Sequence, residues 1–159
     1  MTERLVLRAP GEADLDAYAA IVADPEVMRH VGQNAPLDRG RAWRELAMFR
    51  GGWALHGFGQ WFVERRADGV LLGRAGLWRP PDWPGIEVGW TLGREHWGRG
   101  YATEAARASV VWARESLGVA HLVSLIHPDN AASIRVAEKL GFRAEGRMGA
   151  ALVFGGVTA

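Results

Sequence analysis

The chain has 159 residues, the size of one domain, and a chain of this length hides roughly two thirds of its unfolded surface. With 48% hydrophobic residues, 23% charged residues and a formal net charge of +1, it is neither a disordered tail nor a fibre, and the near-neutral balance argues against nucleic acid or an anionic membrane as a partner. It has no cysteine, which excludes a disulfide framework, a thiol nucleophile and a Cys-ligated zinc. Met1-Thr-Glu-Arg-Leu5 lacks the apolar core of a secretory leader, and the longest apolar run, Ala17 to Ala23, is far short of the ~20 residues of a membrane span. A single cytoplasmic domain over residues 1–159 is expected.

In chain order, Arg4 to Ala9 alternates as a strand and closes at Pro10-Gly11. Leu15, Tyr18, Ala19 and Val22 fall at helical spacing, with Asp24-Pro25 as the stop. A second amphipathic stretch runs from Asp38 to Arg50, with Ala42, Leu46 and Phe49 on one stripe, and Gly51-Gly52 is expected to end it. Three strand-like runs follow, Gln60 to Glu64, Val70 to Trp78 and Ile86 to Leu92, separated by turn residues as in an antiparallel meander. Gly100 to Ser116 is helical, His121 to His127 is a strand, and Asn130 to Leu140 is a helix with Gly141 past its end. A strand, helix, strand series implies a parallel pair joined by a crossover. Arg143 to Arg147 and Leu152 to Val157 are candidate final strands around Gly149. The fold class is α/β (α+β) with a mixed sheet.

The sharpest feature is Trp97-Gly98-Arg99-Gly100-Tyr101-Ala102-Thr103-Glu104, where strand gives way to long helix. Gly98 and Gly100 permit positive φ, and the first helical N–H groups have no intrahelical acceptor, so the turn suits a pyrophosphate; a plain Gly-rich helix cap is the simpler alternative. A Walker A loop is excluded because Tyr101-Ala102 stands where Lys-Ser/Thr is required. A dinucleotide fingerprint lacks its acidic residue, since His121 to His127 carries no carboxylate.

Three runs in this order, Glu87-Val-Gly-Trp-Thr-Leu92, Trp97 to Ala105 and Asn130-Ala-Ala-Ser-Ile-Arg-Val-Ala-Glu-Lys-Leu-Gly-Phe142, resemble the GNAT superfamily of acyl-CoA-dependent N-acetyltransferases. Within it the chain is most similar to the RimJ/RimL-type branch of protein N-terminal acetyltransferases, whose first strand Glu3 to Arg8 also resembles. The resemblance implies a GNAT-like, mostly antiparallel central sheet with a splayed parallel strand pair and flanking helices. It implies acetyl-CoA as acyl donor, no metal, and an amine acceptor. The family's pyrophosphate loop falls on Trp97, Gly98, Arg99, Gly100, Tyr101, Ala102 and Thr103, with Trp97 in place of the usual Gln or Arg. Backbone groups of Trp90 and Leu92 would hold the pantetheine arm, and Asn130 would touch the same arm besides capping its helix.

In such a reaction an amine must lose a proton before attacking the thioester. Glu87 is the candidate base; a strand carboxylate of this kind is equally well a paired structural group. A backbone N–H near Gly89 or Trp90 would hold the thioester oxygen. The tyrosine that many family members use as proton donor is replaced by Ala137, and Ser133 is the substitute that the branch suggests. Trp53, His56 and Trp83 are candidate walls for the acceptor, and the five histidines show no metal-ligand spacing. The final hairpin reads as shortened, so a second subunit that completes the acceptor wall, hence a homodimer, is a further expectation. A peptide or protein N-terminal α-amine is the first-choice acceptor. A small-molecule amine acetyltransferase and a non-catalytic acyl-CoA-binding protein are the alternatives.

Overall fold

The computed structural model describes residues 1–157. Strands β1 (Leu5–Arg8), β2 (Gln60–Arg65), β3 (Leu71–Trp78), β4 (Glu87–Leu92), β5 (His121–Ile126), β6 (Arg143–Met148) and β7 (Ala151–Val157) form one 7-stranded sheet in the order β1-β2-β3-β4-β5-β7-β6. Every neighbouring pair is antiparallel except β4 and β5. The meander β2-β3-β4 needs only turns, and the first is made at Gly69 with φ 73°. The parallel step to β5 needs a crossover, which is helix α4 (Tyr101–Leu117).

The helices cover both faces. Helices α1 (Leu15–Val22) and α3 (Arg39–His56) bury Tyr18, Ile21, Ala42, Leu46 and Phe49 against Phe62 of β2. On the opposite face, α4 and α5 (Ala131–Lys139) place Ala106, Ala113 and Ala137 against Leu77, Val88, Leu122 and Ile126. Alternate residues of each strand therefore serve different layers, as the period of two requires.

One helix boundary agrees with expectation and one does not. Helix α1 ends at Val22, just before the Asp24-Pro25 stop, and Pro25 then opens a short helix, α2 (Pro25–Met28), at a position where proline's missing N–H costs little, with Asp24 capping it by accepting from Glu26 N–H at 2.8 Å. Helix α3 continues through Gly51-Gly52 to His56 and stops at Gly57, whose φ is 69°. Glycine costs a helix about 1 kcal/mol. Here the chain beyond it packs tightly: Gly52 is buried close to the Trp78 ring, and Trp53 meets Trp61 and Trp112 at centroid distances of 5.1 and 5.6 Å. Tertiary contact overrides the local signal.

The parallel pair fixes where chemistry can occur. β4 and β5 share a single register pair, Glu87 with Val123, and then part. Beyond Val88 the edge of β4 turned toward β5 has no register partner on that strand.

Candidate active site

Two features meet at the C-terminal end of β4: a left-handed glycine turn and the gap left by β5. In the turn, Gly98 and Gly100 have φ of 73° and 81°, the left-handed region that side chains resist. Glu104 N–H is the first amide to close onto the helix, donating to Gly100 O at 3.0 Å. The amides of Tyr101, Ala102 and Thr103 therefore have no acceptor among the described residues and point out of the helix start, where the dipole favours an anion.

The turn is tied down from behind. Arg4 donates through Nη1 to Arg99 O at 3.0 Å, pairs with Glu104 at 2.7 Å and lies 4.6 Å from the Tyr101 ring centroid. The Glu104 carboxylate is thereby turned away from the mouth of the helix. Burial opposes its charge, yet hydrogen bonds from Thr2 and Arg4 hold its pKa below the ordinary value. Trp97 sends its indole N–H to Leu92 O at 2.8 Å, fastening the turn to the end of β4. Trp97 thus acts through its ring on the protein itself, and the Leu92 carbonyl, one of the two groups that the residue offers the gap, is already engaged.

Backbone parity settles which groups of β4 face the gap. Gly93 N–H donates to Leu72 O on β3, and Ile86 O accepts from Val123 N–H on β5. Even-numbered residues therefore address β5 and odd-numbered ones address β3. Trp90 keeps its N–H toward the gap. Gly89, offered beside it as a holder of the thioester oxygen, points the other way, into the ladder with Gly76.

A cleft of about 690 Å³ opens on this gap, with walls from α3, β4, β5, the start of α5 and the β6–β7 turn. Glu87 lies in it. Its Oε2 accepts from Trp83 Nε1 at 2.7 Å and its Oε1 from Leu125 N–H at 3.3 Å. Burial pushes its pKa above the ordinary carboxylate value, while those two hydrogen bonds and the Arg74 charge pull the other way. Behind it runs a polar chain that no local pattern announces. Arg74 donates to Tyr18 Oη and to Gln60 Oε1, both at 3.2 Å, and Tyr18 donates to Glu45 Oε2 at 2.6 Å. Burial raises the Tyr18 pKa and keeps its phenol protonated. The fixed charges of the cleft, Arg74 against Glu45 and Glu87, favour a cationic visitor.

Asn130 and Ser133 also line the cleft. Asn130 caps α5 through Oδ1, which accepts from Ser133 N–H at 3.1 Å, and the Ser133 hydroxyl makes no hydrogen bond among the described residues. Trp83 is a wall of the cleft, but Trp53 and His56 are not. Trp53 belongs to the tryptophan cluster between α3 and α4 and donates to Gln60 O at 3.0 Å, while exposed His56 stacks on Phe58. A pair not foreseen from spacing, His30 and His127, stacks at 4.7 Å beside the cleft. Burial and the neighbouring His127 and Arg29 hold the His30 pKa below its ordinary value. Among the described residues no group of three or more His, Asp or Glu is placed to hold a metal ion, and no helix is long and apolar enough to cross a membrane.

Comparison with known proteins agrees with this geometry. Residues 4–143 match the family model of an acetyltransferase (GNAT) domain. The chain is 30% identical over 148 residues to the uncharacterized N-acetyltransferase p20 of Bacillus licheniformis, spanning 91% of this chain and 82% of that protein. An acetyltransferase from Agrobacterium tumefaciens str. C58 has the same fold with a TM-score of 0.88 and 34% identity, over 98% of this chain and 92% of that one. RimL, a ribosomal L7/L12 alpha-N-protein acetyltransferase solved with coenzyme A, shares the fold at a TM-score of 0.81 and 17% identity, over 98% and 95%. The chain belongs to the GNAT acetyltransferases, enzymes that take an acetyl group from acetyl-CoA and transfer it to an amine.

Proposed function

We propose that this enzyme acetylates the α-amine of a peptide or protein N-terminus, in the manner of the RimJ/RimL branch, with Glu87 as the base. The observation that carries the reading is the half-buried Glu87 carboxylate in the cleft, at the point where β4 and β5 part. At pH 7 a free α-amine with pKa near 8 costs about 1 kcal/mol to deprotonate, against about 4 to 5 kcal/mol for a lysine side chain. One carboxylate of raised pKa suits the easier proton.

The residues divide the work as follows. The amides of Tyr101, Ala102 and Thr103 bind the diphosphate, with Gly98 and Gly100 giving them their shape, Arg99 adding charge at the rim and Trp97 pinning the turn. Trp90 N–H and the remaining Leu92 N–H serve the pantetheine arm and the thioester oxygen along the open edge, and the Asn130 side-chain amide serves the arm from α5. Acetyl-CoA, when bound, supplies an acetyl group on a thiol that leaves readily. Glu87 takes one proton of the incoming ammonium, directly or through one water, and the neutral amine then attacks; as the C–N bond forms and the C–S bond breaks, the nitrogen gives up a second proton and the thiolate gains one. Ser133 gives its hydroxyl proton to the departing sulfur and recovers one from the new amide nitrogen. Trp90 N–H donates to the carbonyl oxygen as negative charge grows on it, the kind of donor whose loss costs ~10²-fold or more in turnover.

Release of free thiol over a panel of peptides with different N-termini, lysine-only peptides and small amines tests the acceptor. Peptides with a free α-amine should give the highest kcat/KM, and blocking that amine should abolish turnover even where a lysine is present. A small amine that outruns every peptide would overturn the reading.

A further inference from the structure

The gap between β4 and β5 is held open by a specific device. In a parallel ladder that begins with Val123 N–H on Ile86 O at 3.0 Å, the next rung joining the strands in that sense would run from Leu125 N–H to Val88 O. That rung is absent, because each of its ends is bound by a side chain. Ser124 Oγ donates to Val88 O at 2.6 Å, and Glu87 Oε1 accepts from Leu125 N–H at 3.3 Å. The two side chains reach in from opposite faces of the sheet. Glu87 shares its face with Gln60, as both approach the space above Gly89, whereas Ser124 alternates with Leu122 and Ile126 on the α4 face. Ser124 is 2% exposed, so its hydroxyl serves no solvent role. With both ends of that rung satisfied, the strands gain nothing by closing there, whereas an unpaired Val88 carbonyl beside a free Leu125 amide would draw them together.

We propose that Ser124 is a positioning residue for the acetyl transfer: by capping Val88 O it keeps β4 and β5 apart and leaves Trp90 N–H free for the cosubstrate. Glu87 completes the wedge from the other face, so the carboxylate read here as the base has a second, mechanical duty. This rests on the reading that the gap receives the pantetheine arm. A serine in the apolar run Leu122-Val-Ser-Leu-Ile126 otherwise reads as an ordinary small strand residue.

The test is coenzyme A binding by calorimetry, with steady-state kinetics, on the wild type, Ser124→Ala and Ser124→Thr. Ser124→Ala should weaken coenzyme A binding and raise the KM for acetyl-CoA by roughly tenfold, the loss of one buried hydrogen bond and the partial closure it allows. The KM for the amine should stay where it is, and the pH midpoint of kcat should not fall, because closure can only take Leu125 N–H away from the Glu87 carboxylate. Ser124→Thr, which keeps the hydroxyl, should recover most of the affinity. Coenzyme A affinity equal in wild type and Ser124→Ala would overturn the wedge alone. Equal losses in the Ala and Thr variants, or an amine KM that rises in step, would overturn it as well by showing a packing defect. A wild type that binds no coenzyme A would overturn the cosubstrate reading, and the wedge with it.

Discussion

Replacing Glu87 with Gln is expected to lower kcat/KM about 100-fold at pH 6.5 and much less at pH 9. General bases contribute typically 10² to 10⁴-fold, and an α-amine of pKa near 8 is only a few per cent neutral at the lower pH but mostly neutral at the higher one. The sign for the wild type follows from the carboxylate. Only ionised Glu87 accepts a proton, and burial in the cleft raises its pKa against the pull of Trp83, Leu125 and Arg74. Activity should thus fall on acidification through a midpoint above the usual carboxylate range, a limb that the variant lacks. The amide is close to isosteric and its oxygen can still accept from Leu125 N–H or Trp83 Nε1, though not from both as the carboxylate does. Its melting temperature should therefore fall by only a few degrees, the cost of one donor left unpaired. Equal losses at both pH values would remove Glu87 from the proton path.

The second large effect lies at Gly100. Acetyl-CoA at 100 times its Kd stabilises a protein by about 2.7 kcal/mol, or roughly 5 to 10 °C in Tm for a chain of this size. Gly100→Val should abolish that shift. Its φ of 81° is hostile to a β-branched residue, and a Cβ there sits 3.4 Å from Arg4 Nη2, the arm that holds the turn from behind. Relief of the backbone strain rotates the Tyr101, Ala102 and Thr103 amides away from a shared focus. Gly118, at the far end of the same helix, has φ of 65° and open space around it. Gly118→Val should lower the unliganded Tm by a similar amount and keep the full acetyl-CoA shift. Loss of the shift in both variants, or in neither, would contradict the assignment.

What the sequence made legible is mostly what backbone geometry forces into residue type. The pyrophosphate turn shows itself because two left-handed positions demand Gly98 and Gly100, and the crossover after β4 because strand and helix periods alternate cleanly from Glu87 to Ile126. Glu87 stands out as a charge in an apolar strand. The polar chain behind it does not: Tyr18, Glu45, Gln60 and Arg74 come from four separate elements, and only packing shows that they touch. For the same reason Trp53 and Trp83 part company. Trp83 lies four residues from Glu87 and binds it, whereas Trp53 is drawn away by Trp61 and Trp112, which are distant in sequence. The role of Ser124 was hidden too, since a missing ladder bond leaves no trace in residue order.

The most direct measurement is a crystal structure of the complex with coenzyme A. The diphosphate oxygens should lie about 2.7 to 3.2 Å from the main-chain nitrogens of Tyr101, Ala102 and Thr103, with the pantetheine chain running along the free edge of β4 past Trp90. Density for the diphosphate at any other surface, or a pantetheine chain outside the space between β4 and β5, would contradict it.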